Sequence, residues 1–197
     1  MRREEAAMAV NPGKRGNRGS ARARIRRRCA LALLGMAAGL VVLAAFRWPV
    51  YRVVGDSMAE TLRDGDVVVA AQCGAVRGAV AVCECGGSTL LGRIIALGGD
   101  TVLVSIDGAV LVNGRALDEP YLAERALGYC DLTMPVTVPE GCAFIMGDNR
   151  AESMDSRCAA VGCIQEDQIA VCVLARLWPI RDFKLCLSIE QLWRNWA

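Results

Sequence analysis

The chain has 197 residues, with 23 Lys and Arg against 21 Asp and Glu and no histidine, enough for one membrane anchor and one domain of ordinary size. Ten basic side chains fall in the first 28 residues against Glu4 and Glu5, which leaves 13 basic and 19 acidic residues beyond them. So mildly acidic a remainder is unlike a nucleic-acid binder, and nucleic acid is not an expected partner.

Residues 1–28 read as a basic cytoplasmic arm, interrupted by Gly, Ser, Asn and Pro and too polar to bury a core. A solvated cationic tail and a nucleic-acid-binding arm would look alike; the next segment decides between them. Cys29 to Phe46 is a run of 18 residues without a formal charge. As a helix it would extend about 27 Å, enough for a hydrocarbon core. Arg47, Trp48 and Tyr51 follow, as an interface would have them. Residues 29–48 are therefore expected to be a single transmembrane signal anchor in the plasma membrane. The basic arm stays cytoplasmic, next to anionic lipid, and everything beyond is extracytoplasmic. Val42-Leu43-Ala44 would pass as a weak cleavage site for a removable signal peptide. The long basic arm and the nearness of the next motif favour an uncleaved anchor.

Residues 49–183 read as a β domain. Val67 to Ala70, Val80 to Cys85, Leu90 to Ile95, Thr101 to Ile106 and Val110 to Val112 are predicted strands, followed by Pro135 to Val138, Phe144 to Met146 and Ile169 to Leu177. Asp107-Gly108 and Asn113-Gly114 are hairpin-turn pairs. Nine of the ten cysteines lie beyond the anchor, an odd number, and their pairing is not legible. Cys158 and Cys163 bracket a short loop, while Cys83 and Cys85 point to one face of a strand. Without histidine or a CxxC pair there is no standard zinc set, and no metal or cofactor is expected. Residues 184–197 form an amphipathic tail. Ser188 and Gln191 resemble a capping box, and Leu185, Ile189, Leu192, Trp193 and Trp196 recur at helical spacing. It would pack on the sheet or lie in the membrane interface.

Three polar blocks carry the chemistry. Gly55-Asp56-Ser57-Met58 can expose the Ser57 hydroxyl on a tight turn whose backbone N–H groups stabilise an oxyanion. A serine that merely caps a short helix would look similar. Gly92-Arg93-Ile94-Ile95-Ala96-Leu97-Gly98-Gly99-Asp100 is the second block. The third is Gly147-Asp148-Asn149-Arg150-Ala151-Glu152-Ser153-Met154-Asp155-Ser156-Arg157.

In this order behind an anchor, the blocks resemble the type I signal peptidases, over roughly Val41 to Pro179. That resemblance implies a mostly β fold with an antiparallel sheet domain behind one N-terminal transmembrane helix. It implies a membrane-bound serine endopeptidase that removes signal peptides from exported preproteins, with Ser57 as nucleophile and Gly55, Asp56 and Met58 shaping the substrate and oxyanion region. Ser153, Asp155, Arg157, Asp148 and Arg93 would support it, with Asp155 and Arg157 as an ion pair and Ser153 bonded to a lysine base. The sequence departs from the family pattern at that base. Gly92 occupies the lysine position, Glu60 replaces a proline, and Ala96 and Gly98 replace a glycine and a proline. Arg93 cannot serve as base, because guanidinium stays protonated. Lys184, Glu60 and Asp155 are the other conceivable acceptors outside the membrane. The alternative is therefore a catalytically inactive member that binds signal peptides or a partner peptidase. The soluble serine-lysine autoproteases of DNA-damage repressors share the serine arrangement but lack an anchor.

Overall fold

A computed structural model describes residues 17–186 and divides the chain into two compact units, Met1–Phe46 and Arg47–Ala197. The first contains one helix, α1 (Asn17–Arg47). Its side chains are described continuously from Arg26 to Leu40, all exposed, including Leu31, Leu33, Leu34, Met36 and Leu40. Among the described residues no helix is long and apolar enough to cross a membrane, and the side chains closing the expected span, from Val41 on, lie outside that description.

The second unit is β throughout. Its strands are β1 (Val50–Arg52), β2 (Val67–Ala71), β3 (Val80–Cys85), β4 (Ser88–Leu97), β5 (Thr101–Val104), β6 (Val110–Val112), β7 (Arg115–Ala116), β8 (Val136–Thr137), β9 (Cys142–Met146), β10 (Ile164–Gln165), β11 (Ile169–Trp178) and β12 (Lys184–Leu185). One sheet runs β1-β2-β11-β3-β4-β9-β10, with β12 paired to β11; the other runs β7-β6-β5-β8. Every pairing is antiparallel. The eight predicted strands all appear, two with the expected bounds (Val80–Cys85 and Val110–Val112) and six with shifted ends. β4 is longer than predicted because it pairs along its length, first with β3 and then with β9. β5 stops at Val104, since Ser105 already turns, its N–H bonded to the Ala109 carbonyl. Lys184 and Leu185, at the start of the expected tail, are a sheet strand, and Ser188 to Trp196 lie outside the described residues.

The two turn pairs differ in shape. Asn113 and Gly114 both have positive φ, 53° and 74°, as a mirror-type hairpin turn needs. At Asp107-Gly108 only Gly108 is left-handed, and the Asp107 carboxylate instead accepts from the Ser105 hydroxyl in a wider loop.

Three apolar clusters fill the unit: around Ile94, Ile145 and Cys172; around Phe144, Val102 and Met146; and around Met58, Leu62 and Val173. The first contains a disulfide between Cys73 and Cys172, with Cα atoms 5.7 Å apart across 99 residues of sequence. Cys83, on the same cluster, stays a thiol whose pKa burial, then the nearby Cys85, pushes up to about 12. A closed loop that long restricts the unfolded chain strongly. Cys73→Ser is expected to cost about 2–5 kcal/mol in denaturant unfolding, and an unchanged midpoint would contradict this.

Candidate active site

The serine of the first block sits on a tight turn between β1 and β2. Ala59 N–H bonds the Asp56 carbonyl, and the Thr61 and Leu62 N–H groups bond that of Met58. Met58 and Leu62 are fully buried and pin the turn to the core, while Ser57 stays half-buried at the surface. The Gly55 N–H is held by the Asp64 carboxylate at 3.0 Å. The Ser57 N–H has no acceptor among the described residues, as an oxyanion donor requires.

The third block grips that turn. Asn149 N–H donates to the Ser57 carbonyl at 2.9 Å, and the Asn149 side-chain amide donates to the Asp56 carbonyl at 3.0 Å. Gly147 makes the approach possible. A Cβ there would lie 2.3 Å from Ser153 Oγ and 2.5 Å from the Ser57 carbonyl oxygen. Ser57 and Ser153 thus adjoin one glycine.

Buried charge pairs hold the block. Asp155 and Arg157 form the expected pair, bidentate through Nε and Nη2 at 2.8 Å each, with side chains 1% and 0% exposed. Asp155 also accepts the Gly147 N–H at 2.9 Å, which fixes the glycine between the serines. Arg93 grips Asp148 in the same two-pronged way, at 2.9 and 2.6 Å, and donates to the Gly78 carbonyl. Burial disfavours its charge, but the hydrogen bonds and field of Asp148 outweigh that and hold its pKa above the ordinary guanidinium value. The Tyr121 ring lies 3.9 Å from its guanidinium carbon, a cation–π contact.

Several members of this network were not among the expected site residues. The Thr61 hydroxyl donates to Asp148, tying the serine turn to the Arg93 pair. Glu119 takes the Arg150 guanidinium and also the Tyr121 hydroxyl. Arg150 in turn donates to the Gly147 carbonyl at 3.1 Å.

The proton acceptor is the exception to this order. The Ser57 hydroxyl has one hydrogen-bond partner among the described residues, the Leu91 carbonyl at 3.3 Å. A carbonyl cannot take a proton from serine. Leu91 immediately precedes Gly92, so Gly92 is one residue along the strand from the carbonyl that holds the Ser57 hydroxyl. Glu60 is exposed, Lys184 is exposed on β12, and Asp155 is committed to Arg157 and Gly147. None of the three reaches the serine. Ser153 Oγ is buried without a hydrogen-bond partner among the described residues. Its orphan state matches the absence of the amine that the resemblance would place there.

Gly92 is also closely packed. A Cβ at this position would lie 2.6 Å from Ile145 Cγ2 and 3.3 Å from the Met146 carbonyl oxygen. The place where a lysine stem would start is occupied by a stiff β-branched side chain. For Ser153, the orphan hydroxyl gives a direct expectation. Ser153→Ala should raise stability by about 1 kcal/mol or more, because it removes an unpaired buried group. A clear loss in thermal unfolding would mean that the hydroxyl is bonded after all.

Ser57 opens onto a cleft of about 350 Å³ lined by Tyr51, Arg52, Val53, Val54, Val68, Val82 and Thr89 to Leu91. The residue segments 51–54 and 89–91 supply most of its lining.

Residues 26–178 match the family model described as "Signal peptidase, peptidase S26". The chain belongs to this signal peptidase family. A signal peptidase IB of Staphylococcus aureus (strain COL) is 33% identical over 166 residues, covering 74% of this chain and 85% of that one. A signal peptidase I of Bacillus licheniformis is 36% identical over 145 residues, covering 66% and 76%. A crystal structure of a signal peptidase I from Enterococcus faecalis V583 is 29% identical, covers 48% of this chain and 92% of its own, and has a TM-score of 0.41. Membership of the signal peptidases makes removal of signal peptides the activity associated with this scaffold.

Proposed function

We propose that this protein is a membrane-anchored member of the signal peptidase family that receives the signal peptides of exported preproteins at the Ser57 cleft. α1 is its anchor, with the N-terminus cytoplasmic and the β unit on the outer face. The basic arm and the exposed apolar side chains of α1 support this placement. A peptide enters extended between residues 53–54 and 89–91 and adds a strand, with alternate small side chains turned towards Val68 and Val82. The observation that carries the proposal is this cleft opening on Ser57 in a chain matched by the family over residues 26–178.

The chemistry favours binding without efficient cleavage. Ser57 becomes nucleophilic only when a neighbouring group accepts its proton. Its partner is a carbonyl, and the Ser153 hydroxyl that would orient an amine stands unpaired. The charge networks that shape the loop remain whole. Such a protein holds a signal peptide in the cleft and leaves the scissile bond largely intact.

Binding is tested with a fluorescent signal peptide and the full chain in detergent micelles. Val54 is 83% exposed on the cleft rim, so Val54→Asp leaves the fold intact. It is expected to weaken binding about tenfold or more, which is about 1.4 kcal/mol. Equal affinity for parent and variant would place the peptide elsewhere.

A further inference from the structure

We propose that Cys73 is a thiol-exchange site, at which a small carboxylate-bearing thiol forms a mixed disulfide and opens the covalent link to Cys172. The two halves of that disulfide are unequally placed. Cys172 is 0% exposed on β11, in the first apolar cluster with Ala81, Ile94 and Ile169. Cys73 lies just past the end of β2 and is half-buried. It lines a second cleft, of about 360 Å³, together with Gln72, Gly74, Ile169 and Ala170. A thiolate arriving from solvent therefore reaches Cys73 and not Cys172.

The same cleft sets the class of ligand. The backbone N–H groups of Cys73 and Gly74 have no acceptor among the described residues. Such donors suit an anion, and their hydrogen bonds to a carboxylate are the strong, charge-assisted kind. Cys83, on the same apolar cluster, is a poor rival for the disulfide. It is fully buried, and burial, then Cys85, pushes its pKa up to about 12, so little of it is the reactive thiolate.

The exchange balances without an oxidant. The ligand thiolate adds to the Cys73 sulfur, and the new S–S bond forms as the Cys73–Cys172 bond breaks. Cys172 leaves with the electron pair and takes up a proton, matching the one the ligand thiol gave up. A neutral thiol behaves as a small hydrophobe and suits that cluster. Attack of Cys172 on the mixed disulfide reverses the step and expels the ligand. In the thiolated state the loop of 99 residues is no longer closed, so the chain unfolds at lower denaturant, as Cys73→Ser does.

The experiment incubates the full chain in micelles with 3-mercaptopropionate or 2-mercaptoethanol at equal thiolate concentration, quenches in acid and maps the cysteines by mass spectrometry. Each rate is scaled to that thiol's rate with a small linear disulfide. The mixed disulfide is expected on Cys73, with Cys172 as a free thiol, forming at least about fivefold faster with 3-mercaptopropionate. Ligand on Cys172, a new disulfide to Cys83 or Cys85, equal scaled rates, or no mixed disulfide overturns the site. Cys172→Ser gives a second reading, since its Cys73 has no partner to expel the ligand. Treated with the symmetrical disulfide of 3-mercaptopropionate, that variant is expected to carry the ligand stably at Cys73, and an unmodified Cys73 overturns the proposal as well.

Discussion

Gly92→Lys combined with Ile145→Leu is expected to raise preprotein cleavage at least about a hundredfold over the parent chain. Gly92→Lys alone is expected to recover much less. The lysine restores a titratable amine one residue from the carbonyl that now holds the Ser57 hydroxyl, and gives the orphan Ser153 hydroxyl a partner. Desolvation at this buried strand position lowers the amine pKa towards the range of a working base. The single variant forces a Cβ into the 2.6 Å gap to Ile145 Cγ2. Overpacking of that kind costs about 1–3 kcal/mol and displaces either the strand or the new side chain. Leucine at 145 removes the offending methyl without opening a cavity. Cleavage rates of parent, both single variants and the double variant form a cycle. Additive, independent effects would show that Ile145 does not obstruct the site.

Asp155→Ala is expected to destabilise the β unit by about 3–5 kcal/mol. The Arg157 side chain is 0% exposed, and its bidentate partner is this carboxylate. Removing it strands a buried guanidinium on three carbonyls, those of Leu127, Arg150 and Ser153. It also releases the Gly147 N–H, so the glycine between the two serines loses its fixed position. Replacing both partners, as in Asp155→Leu with Arg157→Met, leaves no unpaired charge and is expected to cost less than the single change. Denaturant unfolding of the full chain in micelles reads both numbers. A loss below about 1 kcal/mol for Asp155→Ala would mean that water reaches Arg157.

The chemistry of the site was largely legible because its residues are contiguous within three blocks. Gly147 to Arg157 contains the Asp155–Arg157 pair, Asp148 and Ser153 in one loop, so proximity in sequence became proximity in space. What escaped is held by contacts between distant segments. Thr61 meets Asp148 across 87 residues and Glu119 meets Arg150 across 31, and neither residue type announces such a partner. Strand ends were misjudged for a similar reason. β4 continues to Leu97 because β9 pairs with it there, a property of the neighbour and not of the segment. That residue 92 is a glycine could be read directly. Its close packing against Ile145 could not, since a one-residue motif carries no packing. The disulfide of Cys73 with Cys172 likewise depends on β11 lying beside β2.

In the proposed site the Ser57 hydroxyl has one hydrogen-bond partner among the described residues, the Leu91 carbonyl. The most direct measurement compares preprotein processing by the parent chain and by Ser57→Ala, reconstituted in lipid vesicles. Both are expected to show the same background rate, with signal peptide bound by each. Processing by the parent that vanishes in Ser57→Ala would contradict a serine without a base.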